Sequence, residues 1–323
     1  MNKLDELLSC LTKKHVIVQT HNYPDQDALA SAVGLKALLE ARGKKVRIGY
    51  EGIVDKDNTL KMMELLEIEC YLSDQLNLTP EDEIIIVDGQ KGNINMTDLV
   101  GDEVACIDHH KVRRGENYKF SDIRDDVGAC ASIIASYFFE NDMPIPENVA
   151  TALLYGIKMD THNMTRSVSV LDLDMFSRLF PMANHEHMKT LENSCLKIED
   201  LEAYRTAIDT LHVEEGVGVA AVGAGCSEAL IASVSDFLLT LSSVQITLVH
   251  SYRAGGVKFS VRSEVERYDA SDMIADALEG FGDGGGHSDM AAGFIPNVPD
   301  EHMAQEYATT VKERFIKRVC AEN

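Results

Sequence analysis

The sequence predicts an α/β protein of two domains: a parallel-sheet domain flanked by helices over residues 1–190 and a smaller mixed-sheet α/β domain over 213–323, joined by a helical connection over 191–212. Three observations carry this reading. A chain of 323 residues suffices for two domains, at roughly 100–200 residues each. From His15 onward, short apolar runs alternate with segments of helical periodicity, the pattern of βαβ units and a parallel sheet. Three of those runs end in aspartate or histidine, and the carboxyl ends of strands are where open α/β sheets form their ligand crevice.

Composition sets the outer limits. Hydrophobic residues at 45% and charged residues at 26% are ordinary for a globular chain and oppose a disordered or fibrous one. No apolar run approaches the about 18 residues of a membrane span, and Met1–Cys10 lacks the order of a secretory signal. A cytoplasmic protein without a membrane partner is therefore expected. The seven cysteines, Cys10, Cys70, Cys106, Cys130, Cys195, Cys226 and Cys320, are odd in number and contain no Cys-x-x-Cys pair, so buried free thiols are expected rather than disulfides or a zinc ribbon. The net charge of −23 repels a polyphosphate backbone, which argues against duplex DNA. A small anionic ligand held by metals and a few local cations stays open.

The elements follow in order. Leu4, Leu7, Leu8 and Leu11 recur at helical spacing and predict a helix covering the sheet. His15–Thr20 is a buried strand ending at His21-Asn-Tyr-Pro24-Asp25-Gln-Asp27, and an apolar helix runs from Ala28 to Leu39. One imidazole and two carboxylates in one turn suit a hard divalent cation, although Asp27 equally suits the helix N-cap. Lys45–Tyr50 predicts a second strand and Thr59–Leu66 a helix. Glu83–Val87 is a strand buried on both faces that ends in Asp88. A carboxylate there is costly unless paired or metal-bound, which makes Asp88 the candidate bridging ligand. Val104–Ile107 then delivers Asp108, His109 and His110 into a loop continuing Lys111, Val112, Arg113, Arg114 and Gly115. Gly128–Glu140 and Asn148–Lys158 predict helices, the second delivering Asp160. His162 and Arg166 follow without a defined role. From Leu171 to about Leu211 the pattern is helical and charged, broken at Pro181 and at a His185-Glu-His187 turn. The i,i+2 spacing puts those two histidines on different faces of a helix, so they are expected at the surface rather than at a zinc site.

In the second domain, Gly216–Gly223, Ser243–His250 and Val257–Val261 predict strands, the last running into Arg262 and Ser263. Glu228–Leu241, Ala270–Leu278 and Asp300–Val319 predict helices. Between the last two lies a glycine-rich turn, Phe281-Gly-Asp-Gly284-Gly285-Gly286-His287. Its glycines would let a backbone approach a phosphate, but it is neither a P-loop nor a dinucleotide fingerprint.

Taken together these residues resemble the DHH phosphoesterase superfamily, named for the triplet found here at Asp108, His109 and His110. His21-x-x-Pro24-Asp25-x-Asp27, Asp88 at its strand end and Gly156-Ile-Lys-Met-Asp160-Thr supply its other motifs in order. Val261-Arg262-Ser263 and Gly284-Gly285-Gly286-His287-x-x-x-Ala-Ala-Gly293 resemble the DHH-associated substrate domain of nanoRNases, pAp phosphatases and RecJ-related exonucleases. The residues Gly89-Gln90, Met159 and His162 depart from the commonest pattern. The resemblance implies a DHH catalytic domain over 1–190, a DHH-associated domain over 213–323 and an active site in the cleft between them. It implies two divalent metal ions, manganese above all, one held by His21, Asp25 and Asp88, the other by Asp27, Asp88, His109 and Asp160. Asp108 would support the histidines and His110 would lie against the substrate phosphate, while Arg262, Ser263, Gly284, Gly285, Gly286 and His287 would bind the far phosphate or nucleotide.

The activity implied is metal-dependent hydrolysis of short oligoribonucleotides and linear dinucleotides such as pGpG or pApA to mononucleotides, with pAp 3′-phosphatase as a second activity. Paired divalent ions supply a nucleophile near neutral pH and neutralise charge on the transferring phosphoryl group. The acidic surface agrees with a short substrate rather than a long polymer, and a homodimer is compatible. The competing expectations are an exopolyphosphatase or pyrophosphatase, which needs no base recognition, and a nucleotide-binding sensor without turnover.

Overall fold

The computed structural model describes residues 2–54, 57–93, 95–112, 117–193, 196–253 and 255–322. The chain divides into two compact units, Met1–Cys195 and Leu196–Asn323.

In the first unit, α1 (Lys3–Cys10) is capped by the Asn2 side chain, which accepts from the Asp5 N–H. It precedes β1 (His15–Gln19), α2 (Gln26–Ala41), β2 (Lys45–Tyr50), α3 (Asp57–Leu65), β3 (Cys70–Leu72), β4 (Glu83–Val87), β5 (Asp102–Asp108) and β6 (Phe120–Ile123). Four helices complete the unit: α4 (Cys130–Glu140), α5 (Glu147–Asp160), α6 (Val170–Leu179) and α7 (His185–Glu192). All six strands pair in parallel, in the order β3-β2-β1-β4-β5-β6. The chain therefore winds outward from β1 to one edge, returns to the centre and winds to the other edge. The switch falls between β1 and β4, and in doubly wound sheets the crevice opens beyond the strand ends at that point.

Alternation along the strands sorts their side chains between two cores. Val16, Val18, Ile85, Val87, Val104 and Ile107 join the large core shared with the helices. Ile17, Ile84 and Ile86 meet Leu76, Met96 and Leu99 from the loops on the opposite face.

The second unit contains α8 (Leu201–Thr210), β7 (His212–Glu214), β8 (Val217–Ala221), α9 (Glu228–Leu239), β9 (Ile246–Arg253), β10 (Gly255–Ser263), α10 (Ala270–Leu278), β11 (Asp283–Gly286), β12 (Met290–Val298) and α11 (Glu301–Glu322). Its sheet runs β11-β12-β10-β9-β8-β7 and is mixed, with only β8 and β9 parallel. Val217, Leu248, Val257 and Phe259 pack with Ile274, Val311 and Phe315 on one side. On the other, Ala220 and Val249 meet Ala203, Ala207, Ile231 and Val234.

Several local expectations change. Residues 201–210 of the expected connection form α8, which packs on the second unit's sheet. The glycine-rich segment is a strand: Asp283–Gly286 pairs with β12 along the sheet edge, where residues without side chains let the chains lie close to α10. His185 opens α7 rather than breaking a helix, because Asn184 caps it by accepting from the Glu186 and His187 N–H groups. Of the described cysteines all are free, but only Cys106 and Cys130 are buried, and Cys195 lies outside the described residues. No described helix is long and apolar enough to cross a membrane.

Candidate metal centre

The sheet register levels the candidate ligands. Gln19 pairs with Ile86 and Ile86 with Cys106, and His21, Asp88 and Asp108 each stand two positions beyond that row. Three adjacent strands thus release their chemistry at the same height, on either side of the switch point. Asp88 turns sharply out of β4 with φ 56°. A non-glycine residue in that region is strained by about 1–3 kcal/mol and persists where its surroundings over-determine it.

Each side chain is held by a neighbour. Asp25 caps α2, its Oδ1 accepting from the N–H groups of Asp27 (3.0 Å) and Ala28 (3.1 Å). The alternative that Asp27 is this cap does not hold: Asp27 sits inside the first turn of α2 and crosses to the start of α4. There its carboxylate accepts from the Cys130 N–H at 2.7 Å and the Ala131 N–H at 2.9 Å, the anion position that a helix N-terminus favours. Asp160 ends α5, so it belongs to the last helical turn rather than to the following loop.

His21 and His109 are oriented by their Nδ1 atoms, which face the carbonyls of Asn22 at 2.8 Å and Val127 at 3.2 Å. With Nδ1–H donating, the Nε2 lone pair of each points at carboxylates, the arrangement by which outer partners fix a ligating imidazole. His21 Nε2 lies 3.8 Å from Asp25 Oδ1 and 3.5 Å from Asp88 Oδ2. His109 Nε2 lies 3.3 Å from Asp88 Oδ1 and 3.1 Å from Asp160 Oδ2. His21, Asp25 and Asp88 form one group and Asp27, His109 and Asp160 another, each with ligand atoms within 4.8 Å of one another. Asp88, His109 and His110 make a third that joins them.

The donor set fits divalent cations on two grounds. Asp88 Oδ1 and His109 Nε2 are buried and neither makes a hydrogen bond, a costly state that a cation removes. The donors are also all carboxylate or imidazole, which suits Mg²⁺, Mn²⁺ and related ions rather than thiophilic ones. Electrostatics say the same. Burial pushes the Asp27 carboxyl well above its usual range, with Asp88 and Asp160 adding to it. Burial also pushes Asp160 up, to about 7, against the pull of His109. Although burial opposes it, the carboxylates around His21 and His109 raise both imidazoles well above their usual range. Asp88 goes the other way: despite burial, His109 and His21 hold its carboxyl well below the ordinary value. Without a cation this cluster needs protons.

Asp108 is fully buried. Its Oδ1 accepts from the His109 N–H (2.8 Å) and faces His110 Nδ1 (2.9 Å), and its Oδ2 accepts from Gln90 Nε2 (2.7 Å). Burial lowers the His110 imidazole, and the Asp108 contact together with the nearby Asp88 charge outweighs it, leaving it raised. His162 is exposed and Arg166 half-buried. Arg113, Arg114 and Gly115 of the Asp108 loop lie outside the described residues.

In the second unit, Arg262 pairs with Met290 and Gly286 with Ala291, which sets Arg262, Ser263, Gly286 and His287 at one end of the sheet. Gly284 and Gly285 lie in the same edge strand. Arg262 is 8% exposed. Its Nε donates to Asp236 at 2.7 Å, and one terminal nitrogen donates to Ser260 Oγ and the Val261 carbonyl. The guanidinium expected to grip a phosphate is thus engaged within its own unit.

Sequence reasoning named Gln90 only as a departure from the commonest pattern, without a role, and passed over the N–H groups of Cys130 and Ala131, and Asp172. Asp172 is buried and joins the Gly128 N–H to Ser132 and Ser169, tying α6 to the start of α4. The role of Gln90 could have been suspected from an amide placed directly after an Asp-Gly strand end. The others act through backbone or distant partners that no spacing discloses.

The DHH family, N-terminal domain, matches residues 15–157, which take in His21, Asp25, Asp27, Asp88, Asp108, His109 and His110 and stop short of Asp160. The DHHA1 domain matches residues 214–318. The chain is 31% identical over 285 residues to an uncharacterized protein of Methanocaldococcus jannaschii, across 88% of this chain and 58% of that one. It is 26% identical over 326 residues to the cyclic-di-AMP phosphodiesterase GdpP of Geobacillus thermodenitrificans, across 93% of this chain and 47% of that one. The chain thus spans only about half the length of these two relatives. Its backbone matches the crystal structure of an exopolyphosphatase-related protein from Bacteroides fragilis with a TM-score of 0.80 at 15% identity, over 99% of this chain and 97% of that one, a likeness of fold. With both domain types present in order and the triplet at the end of β5, the chain belongs to the DHH superfamily.

Proposed function

We propose that the chain is a divalent-metal-dependent phosphodiesterase that hydrolyses short oligoribonucleotides and linear dinucleotides, of the pGpG or pApA kind, to mononucleotides, with removal of the 3′-phosphate of pAp as a second activity. The observation that carries this reading is the pair of ligand groups, His21-Asp25-Asp88 and Asp27-His109-Asp160, meeting through Asp88 and His109 at 3.3 Å. One ion would be held by the first group and a second by the other, with Asp88 bridging. Manganese is the proposed ion, on the strength of the oxygen and imidazole donors. When bound, paired ions neutralise a phosphoryl group and make water nucleophilic at neutral pH.

The chain's own residues do the rest. Asp25, Asp27 and Asp160 stand at the ends of α2 and α5. Asp108 orients His110, which is half-buried at 32% and would lie against a phosphate oxygen. Ser263, Gly284, Gly285, Gly286 and His287 would recognise the nucleotide, and Arg262 would join them where a phosphate competes with Asp236. Likeness to a cyclic dinucleotide phosphodiesterase supports a dinucleotide class of substrate, and the charge of −23 supports a short one.

Initial rates on pGpG, cyclic di-AMP, pAp, pyrophosphate and polyphosphate, with Mn²⁺ present, test the reading. Cleavage of pGpG to mononucleotides is expected. Cleavage of pyrophosphate or polyphosphate with every nucleotide inert would overturn it, as would nucleotide binding without turnover.

A further inference from the structure

Gln90 is 2% exposed and sits in the loop that follows Asp88. Its amide nitrogen makes two contacts at once, donating to Asp108 Oδ2 at 2.7 Å and to the His110 carbonyl at 3.0 Å. The first fixes the carboxylate whose other oxygen faces His110 Nδ1 at 2.9 Å. The second fixes the backbone on which that imidazole is mounted. One side chain therefore sets both ends of the His110 geometry.

The loop that carries Gln90 is itself pinned on either side. Cys106 Sγ donates to the Gly89 carbonyl at 3.3 Å, and the Lys91 N–H donates to Tyr118 Oη at 2.8 Å. Lys91 Nζ reaches Glu103 at 2.8 Å. Both hydrogens of the Gln90 amide are used, and neither goes to a residue of the two ligand groups. Replacing it would leave Asp108 Oδ2, on a fully buried residue, as an acceptor without its donor, a loss that frees the carboxylate to rotate.

We propose that Gln90 is the positioning residue for His110, locking the loop after β4 to the loop after β5 so that Asp108 presents the imidazole in one orientation and one tautomer. The proposal rests on the reading that His110 meets the substrate phosphate, and it assigns Gln90 no contact with metal or substrate.

A double-mutant cycle tests it. Gln90→Met is nearly isosteric and removes both donors. It is expected to lower kcat on pGpG about 10- to 100-fold, the scale of lost outer-shell contacts, with KM and Mn²⁺ affinity changed less than about twofold. In a His110→Asn background the same substitution should cost less than about twofold. Equal losses in both backgrounds, or a parallel loss of Mn²⁺ affinity, would overturn the proposal. A second readout does not depend on turnover. The ¹⁵N spectrum of the His110 ring, recorded with Mg²⁺ under alkaline conditions, should show the Nδ1–H tautomer in the natural chain and a mixture in Gln90→Met. An unchanged ring spectrum would overturn the proposal even if no nucleotide proves to be a substrate. If Gln90→Met does not fold, Gln90→Leu removes the same two donors with a different apolar shape, and the same outcomes decide.

Discussion

Asp88 concentrates the problem that the site solves. Its backbone is in the left-handed region at φ 56°, its side chain is 3% exposed, and its Oδ1 has no hydrogen bond. Strain and desolvation combined on one carboxylate suit a position that holds a positive charge close by. Asp88→Asn keeps shape and removes the bridging charge. It is expected to reduce turnover by more than about 100-fold, beyond the range of outer-shell changes, with an unchanged far-ultraviolet circular dichroism spectrum. Near-normal turnover would exclude the bridging role. The protonation of the cluster makes a second prediction. In the metal-free chain burial raises Asp160 to about 7, and the surrounding carboxylates raise His21 and His109 despite burial. Raised values mean protons bound at neutral pH, and a cation must displace them. Mn²⁺ affinity should therefore be greatest on the alkaline side and fall as pH drops through about 7, by roughly tenfold per pH unit for each proton displaced. Calorimetric titrations in buffers of different ionisation heat read the released protons directly. Affinity independent of pH from about 6 to 8 would contradict the assignment.

At the scale of elements, the site depends on how closely α2 and α5 approach. Gly156 makes that approach possible. A Cβ there would lie 2.8 Å from Ala30 Cβ and 3.1 Å from Asp27 Oδ1, and Asp27 and Asp160 belong to one ligand group. Gly156→Ala should thus do two things together. It should destabilise the fold by about 1–3 kcal/mol, the usual cost of overpacking, and weaken Mn²⁺ binding by pushing the helices apart. Unchanged metal affinity alongside the lost stability would show that the helix contact and the ligand geometry are separate. The same elements explain what could be read from the chain. β1, β4 and β5 are apolar runs that lead into His21, Asp88 and the Asp108-His109 pair, so strand and ligand were visible together in the hydropathy. β3 and β7, of three residues each, and β6, of four, are too short for periodicity to register. β11 is hidden for another reason: Asp283-Gly-Gly-Gly286 has no strand propensity, and only its pairing with β12 makes it a strand. The left-handed residues His162, Asn163 and Met164, at φ 48°, 56° and 63°, were equally invisible: the Thr161 hydroxyl donates to the Ile157 carbonyl and accepts from the Met164 N–H within that turn, local bonds that no hydropathy pattern discloses.

Over the whole molecule, the strand order β3-β2-β1-β4-β5-β6 explains why ligands separated by over a hundred residues meet. Winding outward from β1 and restarting at β4 leaves a gap in the connections between those strands. The loops after β1, β4 and β5 fall together into that gap. The ligand groups belong wholly to the unit Met1–Cys195, and a cation that binds only the folded site stabilises what holds the site together. At a hundredfold excess over its Kd that amounts to about 2.7 kcal/mol. Hydrogen exchange gives the stabilisation an address. Amides of β1, β4 and β5 that exchange through unfolding of the first unit should slow by roughly a hundredfold on adding Mn²⁺. Those of β8, β9 and β10, whose core is built around Val217, Leu248 and Phe259, should keep their metal-free rates. The natural control is Asp88→Asn, in which the Mn²⁺-dependent slowing of the first unit should shrink toward nothing. Slowing confined to the second unit, or none in either, would mean that the carboxylates and imidazoles gathered at the switch point are not where the cation resides.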